Sequence, residues 1–226
     1  MPSQRRLARI RASHSYWAVL CAIGIAFVFA AVASDSSWAT SVLALLLSGT
    51  LILALWTAGW GVSEGRRAFG LAAVGIAVAV ANLVWTGKGI QATVGILLGL
   101  LTIGIAVVIA KSAVEQGEVN ARSVGGAISV YILIGMVFVF VYGIIAALGS
   151  GPFFAQGTDG TRAIRVYFSF VTLATVGYGD YTPAGNLGHT LAIVEALIGQ
   201  LYLVTVVAVV VTRLGHGHRE PRLERE

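Results

Sequence analysis

The most informative part of this chain is the sequence TVGYGD at residues 175–180. Its two glycines, Gly177 and Gly179, alternate with residues that carry side chains, and glycine adopts positive φ angles without a Cβ clash. A backbone that alternates in this way can turn successive carbonyl groups toward one axis. The stretch lies between a short segment rich in aromatic and β-branched residues, 161–174, and a long apolar run, 187–212. The pattern therefore predicts an irregular loop whose backbone carbonyl groups form the binding surface.

The hexapeptide resembles the selectivity filter of the tetrameric potassium channel superfamily, in which carbonyl oxygens replace the water around K⁺. The resemblance implies a filter made of Thr175, Val176, Gly177, Tyr178 and Gly179. The K⁺ ions would be held by the first four of these residues, with the hydroxyl group of Thr175 at the inner end. Asp180 would lie at the outer mouth, where four copies form an acidic ring, or it would simply cap the following loop.

The composition places the chain in a membrane. Of its 226 residues, 57% are hydrophobic and only 11% are charged. The apolar core of a bilayer is about 30 Å thick and requires about 20 apolar residues per helix. Such runs occur at 14–34, 38–60, 68–86, 90–110, 123–148 and 187–212. We therefore expect an all-α membrane protein with six transmembrane helices, and we exclude a soluble globular protein.

The segment before the filter does not fit a seventh span. Residues 149–160 are rich in glycine, and residues 161–174 are too short to cross a bilayer. Irregular backbone at membrane depth must be covered by protein or line a water-filled path. We therefore expect residues 161–174 to form a re-entrant pore helix. The predicted division of the chain is a basic N-terminal segment at 1–13, a four-helix domain at 14–110, a linker at 111–122, a pore domain at 123–214 and a tail at 215–226.

The basic residues predict the orientation, because Lys and Arg are enriched on the cytoplasmic side of membrane proteins. With both termini in the cytoplasm, only Lys88, Arg162 and Arg165 lie outside. The other twelve lie inside: Arg5, Arg6, Arg9, Arg11, Arg66, Arg67, Lys111, Arg122, Arg213, Arg219, Arg222 and Arg225. We expect a multi-pass protein of a bacterial plasma membrane, with lipid and no nucleic acid as a partner. The basic termini could also contact anionic lipid headgroups.

The resemblance covers residues 124–214 and implies an outer helix, a pore helix, the filter and an inner helix. One filter sequence occurs in the chain, and the family closes its pore with four, so the resemblance implies a homotetramer. Tyr167 and Phe168 occupy the positions of an aromatic pair that packs around the filter in the family. The alternative is that both are ordinary core or interfacial aromatic residues.

The last apolar run contains further candidates. Gly199 has the spacing of the family's gating-hinge glycine, although glycine also permits close helix packing. The positions at helical spacing beyond it predict the cavity lining: Gln200, Leu203 and Val207.

Glu195 is an ionisable residue deep within a predicted span, and such a residue is a functional candidate with a buried partner. Thr172 or Ser169 on the pore helix could form its hydrogen bond. The sequence leaves two roles open for it, a protonated strut that supports the filter and a proton-sensitive modulator.

The six-span layout resembles that of voltage-gated channels, whose fourth span carries regularly spaced Arg or Lys residues. Here the run 90–110 contains no charged residue. Moving one charge through 100 mV is worth about 2.3 kcal/mol, so a span without charges predicts a channel that voltage does not open steeply. Gly95 and Gly99 have the GxxxG spacing of closely packed helices instead.

Two other classes of function are a membrane enzyme and a scaffold or sensor with a non-conducting pore. The sequence contains no metal-binding cluster, nucleophile motif or phosphate loop, and His216 and His218 supply two metal ligands at most. We therefore expect no enzyme and no cofactor other than permeant K⁺. The scaffold remains the alternative.

Overall fold

The computed structural model describes residues 2–58, 69–70, 72–73, 75–77, 80, 87–115 and 121–216. Within these ranges the regular structure is helical. The helices are α1 (Pro2–Val32), α2 (Ser37–Ala58), α3 (Lys88–Glu115), α4 (Ala121–Leu148), α5 (Arg162–Leu173) and α6 (Asn186–His216).

Four helices of the described residues are long and apolar enough to cross a membrane. These spans are Ser37–Ala58, Lys88–Ser112, Val124–Leu148 and Asn186–Val206, and a shorter apolar stretch runs from Trp17 to Val32. The structure therefore confirms an all-helical protein with four candidate membrane spans. The third predicted span, 68–86, lies largely outside the described residues, so the count of six stays a prediction.

The helices extend beyond the apolar runs. α1 begins at Pro2, so the basic segment predicted at 1–13 continues the first helix, and α3 and α4 cover both ends of the predicted linker at 111–122. The physical reason is that Lys, Arg, Gln and Glu have helix propensities close to that of Ala. Hydropathy therefore locates the part of a helix within the bilayer, but it does not locate the helix ends.

The first four helices pack into one core. Its buried side chains include Ile23 of α1, Leu47 of α2, Leu101 of α3 and Leu133 of α4. Between membrane helices, close van der Waals contact supplies much of the stability, because lipid tails are as apolar as the side chains. The predicted close approach at Gly95 and Gly99 is found between α3 and α4, where a Cβ on Gly95 would lie 3.0 Å from Ile144.

The segment that joins α4 to α5, residues 149–161, packs against the loop that follows the filter sequence. We call this segment the turret. Its Phe154 forms backbone bridges with Thr158 and with Pro183 of the loop that follows the filter. Two further backbone hydrogen bonds, from Ala155 to Thr182 and from Ala184 to Phe153, join the same segments at 2.8 Å. The turret thus holds the loop that follows the filter sequence.

Candidate functional site

The filter sequence follows directly from α5, a helix of 12 residues whose N-cap is Thr161. Three backbone N–H groups at its C-terminal end donate to carbonyl oxygens of the last turn. Ala174 bonds to Phe170 at 3.0 Å, Thr175 to Thr172 at 2.9 Å and Val176 to Val171 at 2.9 Å. The final carbonyl groups of a helix lack partners within the helix. Here the start of the filter supplies those partners, so the filter is anchored to α5 by its own backbone.

The backbone of residues 175–179 alternates as the sequence predicts. Gly177 and Gly179 have φ angles of 59° and 78°, and Thr175 has a φ angle of 55°. Thr175 is the only non-glycine residue with positive φ in the described part of the chain. The left-handed conformation costs an L-residue about 1–2 kcal/mol. The glycines were predictable, but nothing in the residue type of Thr175 indicates this conformation.

The filter side chains are exposed in the single chain. Val176 is 51% exposed and Tyr178 is 71% exposed. Within the chain, the ring of Tyr178 stacks on the ring of Tyr167, with the centroids 6.4 Å apart.

Tyr167 also contacts Asp180, the last residue of the filter sequence. Its hydroxyl group donates a 2.7 Å hydrogen bond to a carboxylate oxygen of Asp180. This hydrogen bond raises the pKa of Tyr167 to about 12, so the phenol remains a donor across the physiological range. Asp180 therefore has a local partner on α5, while the acidic ring of four copies stays a prediction.

Phe168, the neighbour of Tyr167 in sequence, packs against a different set of residues. It is buried, and its ring lies 5.1 Å from that of Tyr142 and 5.3 Å from that of Phe154. Successive residues of a helix point about 100° apart, so α5 can place Tyr167 beside the filter and Phe168 beneath the turret. The two members of the predicted aromatic pair thus have different surroundings, and Phe168 contacts the turret and α4 instead.

Glu195 of α6 is fully buried between α4 and α5. The hydroxyl group of Tyr142 lies 2.5 Å from its Oε2 atom, and the Oγ atom of Ser169 lies 2.5 Å from its Oε1 atom. Ser169 also lies 2.9 Å from the carbonyl oxygen of Gly135 and can donate to it. Of the two partners that the sequence leaves open, the structure places Ser169 at Glu195. The carbonyl group of Thr172 bonds to the filter backbone at Thr175.

Counting hydrogens limits the directions that the bonds in this cluster can take together. The carbonyl group of Gly135 can only accept, and Ser169 has a single hydroxyl hydrogen to donate. If Ser169 donates to Gly135, its bond to Glu195 requires a hydrogen from the carboxyl group. A neutral Glu195 that donates to Ser169 and accepts from Tyr142 satisfies every group. Tyr142 was not found from the sequence, because it lies 53 residues from Glu195 and no motif marks it.

Gly199 lies against the C-terminal end of α5. A Cβ atom at this position would clash with the carbonyl oxygen of Leu173 and would lie 2.9 Å from its Cδ1 atom. The absence of a side chain therefore permits α6 to approach α5 immediately before the filter. Gly199 thus has a packing role in this conformation, and its use as a gating hinge stays a prediction.

The predicted cavity residues follow Gly199 along α6. Gln200 is exposed in the single chain and Leu203 is 44% exposed. The side chain of Val207 lies outside the described residues. The exposed residues are available to a cavity or to a neighbouring subunit.

Comparisons with known proteins agree with this geometry. Residues 127–216 match the family described as "Ion channel". Inward rectifier potassium channel Kirbac3.1 of Paramagnetospirillum magnetotacticum is 35% identical over 69 residues, which cover 30% of this chain and 23% of that protein. Probable potassium channel protein 2 of Methanocaldococcus jannaschii is 41% identical over 56 residues, which cover 24% of this chain and 16% of that protein.

Protein LctB of Geobacillus stearothermophilus is 39% identical over 82 residues, which cover 34% of this chain and 58% of that protein. The chain therefore spans less than two thirds of the length of each of these relatives. No solved structure shows a significant match to the chain. Residues 127–216, which contain α5, the filter sequence and α6, therefore match an ion channel domain, and the chain is similar to potassium channel proteins.

Proposed function

We propose that the chain is one subunit of a potassium-selective channel that conducts K⁺ passively across a bacterial plasma membrane. The observation that carries this proposal is the backbone of TVGYGD, with positive φ at its first, third and fifth residues at the end of a short helix. Such alternation is what a column of carbonyl ligands requires. The K⁺ ligands would be the carbonyl oxygens of Thr175, Val176, Gly177 and Tyr178, with the hydroxyl group of Thr175.

A homotetramer would supply the cover that a single chain lacks. Only 11% of the apolar membrane-spanning stretch of α6 is buried within the chain. The corresponding share is 56% for α2 and 44% each for α3 and α4. Residues 174–180 are exposed as well. Irregular backbone in a membrane must be covered by protein or line a water-filled path. Four copies around one axis would satisfy both requirements, with the filter lining the path and neighbouring subunits covering Tyr178 and α6.

The surrounding residues would then hold the filter. Tyr167 bonds to Asp180 and stacks on Tyr178, while Glu195 joins α4, α5 and α6 behind the filter. Thr172 would contribute through its carbonyl bond to Thr175, and Phe168 through the turret. Opening by a hinge at Gly199 would move α6 away from Leu173 and widen a cavity lined by Gln200, Leu203 and Val207.

The proposed channel is not steeply opened by voltage. Between Lys88 and Lys111, α3 contains no charged residue. Gating charge must cross the electric field to couple opening to voltage. The four-helix half therefore has another role, and both termini would lie in the cytoplasm with the basic segments near anionic lipid.

The test is recording from purified protein in planar bilayers with K⁺ on one side and Na⁺ on the other. We expect a reversal potential close to that of K⁺, and a tetramer in mild detergent. A reversal potential that shows equal permeability to the two ions, or a stable monomer, would contradict the proposal. An assembled protein without any ⁸⁶Rb⁺ flux in liposomes would favour the scaffold instead.

A further inference from the structure

The N-terminal end of α5 is held by a residue from the other half of the chain. Asp35 lies in the loop between α1 and α2, and its two carboxylate oxygens accept from the backbone N–H of Arg162 at 3.0 and 2.9 Å. The first N–H groups of a helix have no partners within it, and a carboxylate there is also favoured by the helix dipole. A carboxylate 127 residues away in sequence therefore supplements the local N-cap, Thr161.

The same loop surrounds the side chain of Arg162. One Nη atom donates to the carbonyl oxygen of Ser34 at 2.8 Å, and the other donates to Thr40 at 3.3 Å. Arg162 is 6% exposed, and Asp35 lies 4.0 Å from its Nε atom. Arg165, one turn later, lies 3.9 Å from Asp35. Burial lowers the pKa of both arginines, and the carboxylate of Asp35 opposes that shift.

A second contact joins α1 to the other end of α5. The ring of Phe27 lies 4.7 Å from the ring of Phe170. The carbonyl group of Phe170 accepts the N–H of Ala174, immediately before the filter. α1 and its loop therefore contact α5 at its first residue and in its last turn.

We propose that Asp35 is a positioning residue for the ion filter, because its carboxylate fixes the N-terminal end of α5 and the filter is bonded to the C-terminal end. A helix of 12 residues is about 18 Å long and behaves as a short rod. A shift at one end is therefore transmitted to the residues at the other. This inference rests on the proposed function, since it concerns the stability of a conducting filter. It gives the N-terminal helices a role that does not require voltage sensing.

The test compares three variants of the full-length protein in bilayers. Asp35→Ala removes both the acceptor and the charge, whereas Asp35→Asn retains one acceptor for the N–H of Arg162. The control is Asp159→Asn. Asp159 is a turret residue that lines the same cavity as Asp35 and Arg162, and its carboxylate accepts from the N–H of Phe153. This variant removes the same charge and keeps the acceptor.

We expect Asp35→Ala to shorten the open bursts by roughly tenfold. This factor lies in the range that corresponds to the stability lost when a helix-capping group is removed. Asp35→Asn should lie between Asp35→Ala and the wild type, and Asp159→Asn should match the wild type. The K⁺/Na⁺ permeability ratio should be lowest in Asp35→Ala, intermediate in Asp35→Asn, and equal to that of the wild type in Asp159→Asn. If Asp35→Ala does not assemble, the shorter bursts of assembled Asp35→Asn carry the test.

Hydrogen exchange of the α5 amides in the same proteins tests the position of α5 without requiring conduction. Exchange at the first turn should be faster in the Asp35 variants than in the wild type and in Asp159→Asn. Unchanged exchange and unchanged bursts in the Asp35 variants would overturn the inference, as would an equal effect of Asp159→Asn. A wild type that fails to select K⁺ would overturn the proposed function, while the exchange measurement would still decide whether Asp35 fixes α5.

Discussion

Replacement of Glu195 offers a sharp test of how the filter is supported. In Glu195→Val, the hydroxyl group of Tyr142 loses its buried acceptor, whereas Ser169 keeps the carbonyl group of Gly135. A buried polar group without a partner costs about 1–3 kcal/mol. If the four subunits contribute independently, the proposed tetramer loses about 4–12 kcal/mol in total. We therefore expect a clearly lower midpoint temperature for dissociation of the tetramer in mild detergent.

Glu195→Gln distinguishes the protonation states of the carboxyl group. A glutamine can accept from Tyr142 through its oxygen and donate to Ser169 through its nitrogen, as a neutral carboxyl group does. Its tetramer should therefore dissociate near the wild-type temperature and conduct K⁺. A charged carboxylate would accept from both hydroxyl groups, and glutamine cannot do this.

Tyr142→Phe removes the hydroxyl group that Glu195→Val leaves without a partner. In a Tyr142→Phe background, Glu195→Val should therefore lower the stability of the tetramer by less. A Glu195→Gln protein as unstable as Glu195→Val would refute the neutral assignment. A Glu195→Val protein as stable as the wild type would refute the supporting role itself.

Three further predictions concern the filter, the inner helix and voltage. Gly177→Ala should abolish selective conduction while the protein still assembles. Within the described part of the chain, no heavy atom lies within 4 Å of the added Cβ, so the cost of roughly 1 kcal/mol or more per subunit is conformational. Unchanged single-channel currents would contradict this. Gly199→Ala should cost about 1–3 kcal/mol per subunit, because its methyl group overlaps the carbonyl group of Leu173, and thermal dissociation of the tetramer measures the loss. The conductance–voltage curve should have a limiting slope of about one elementary charge, because α3 lacks charges between Lys88 and Lys111. A slope of several charges would contradict this prediction and would show that other charged residues cross the electric field.

The features that depend on local chain properties could be predicted from the sequence. The apolar runs required membrane helices, and the length of residues 161–174 required a short helix before the filter, which the structure places at Arg162–Leu173. Gly177 and Gly179 permitted positive φ because they lack a Cβ atom. These features were predictable because composition, length and residue type act over a few neighbouring residues.

Which distant side chains meet around α5 and residues 175–180 depends on how the helices pack. Glu195 meets Tyr142 across 53 residues, and Arg162 meets Asp35 across 127. Positive φ at Thr175 also depends on context, since residue type alone disfavours it. Periodicity shows that a residue lies on a helix, but it does not show which face meets which neighbour. That choice follows from how the helices pack together, and the contacts that hold α5 in place exist only once the two halves of the chain have met.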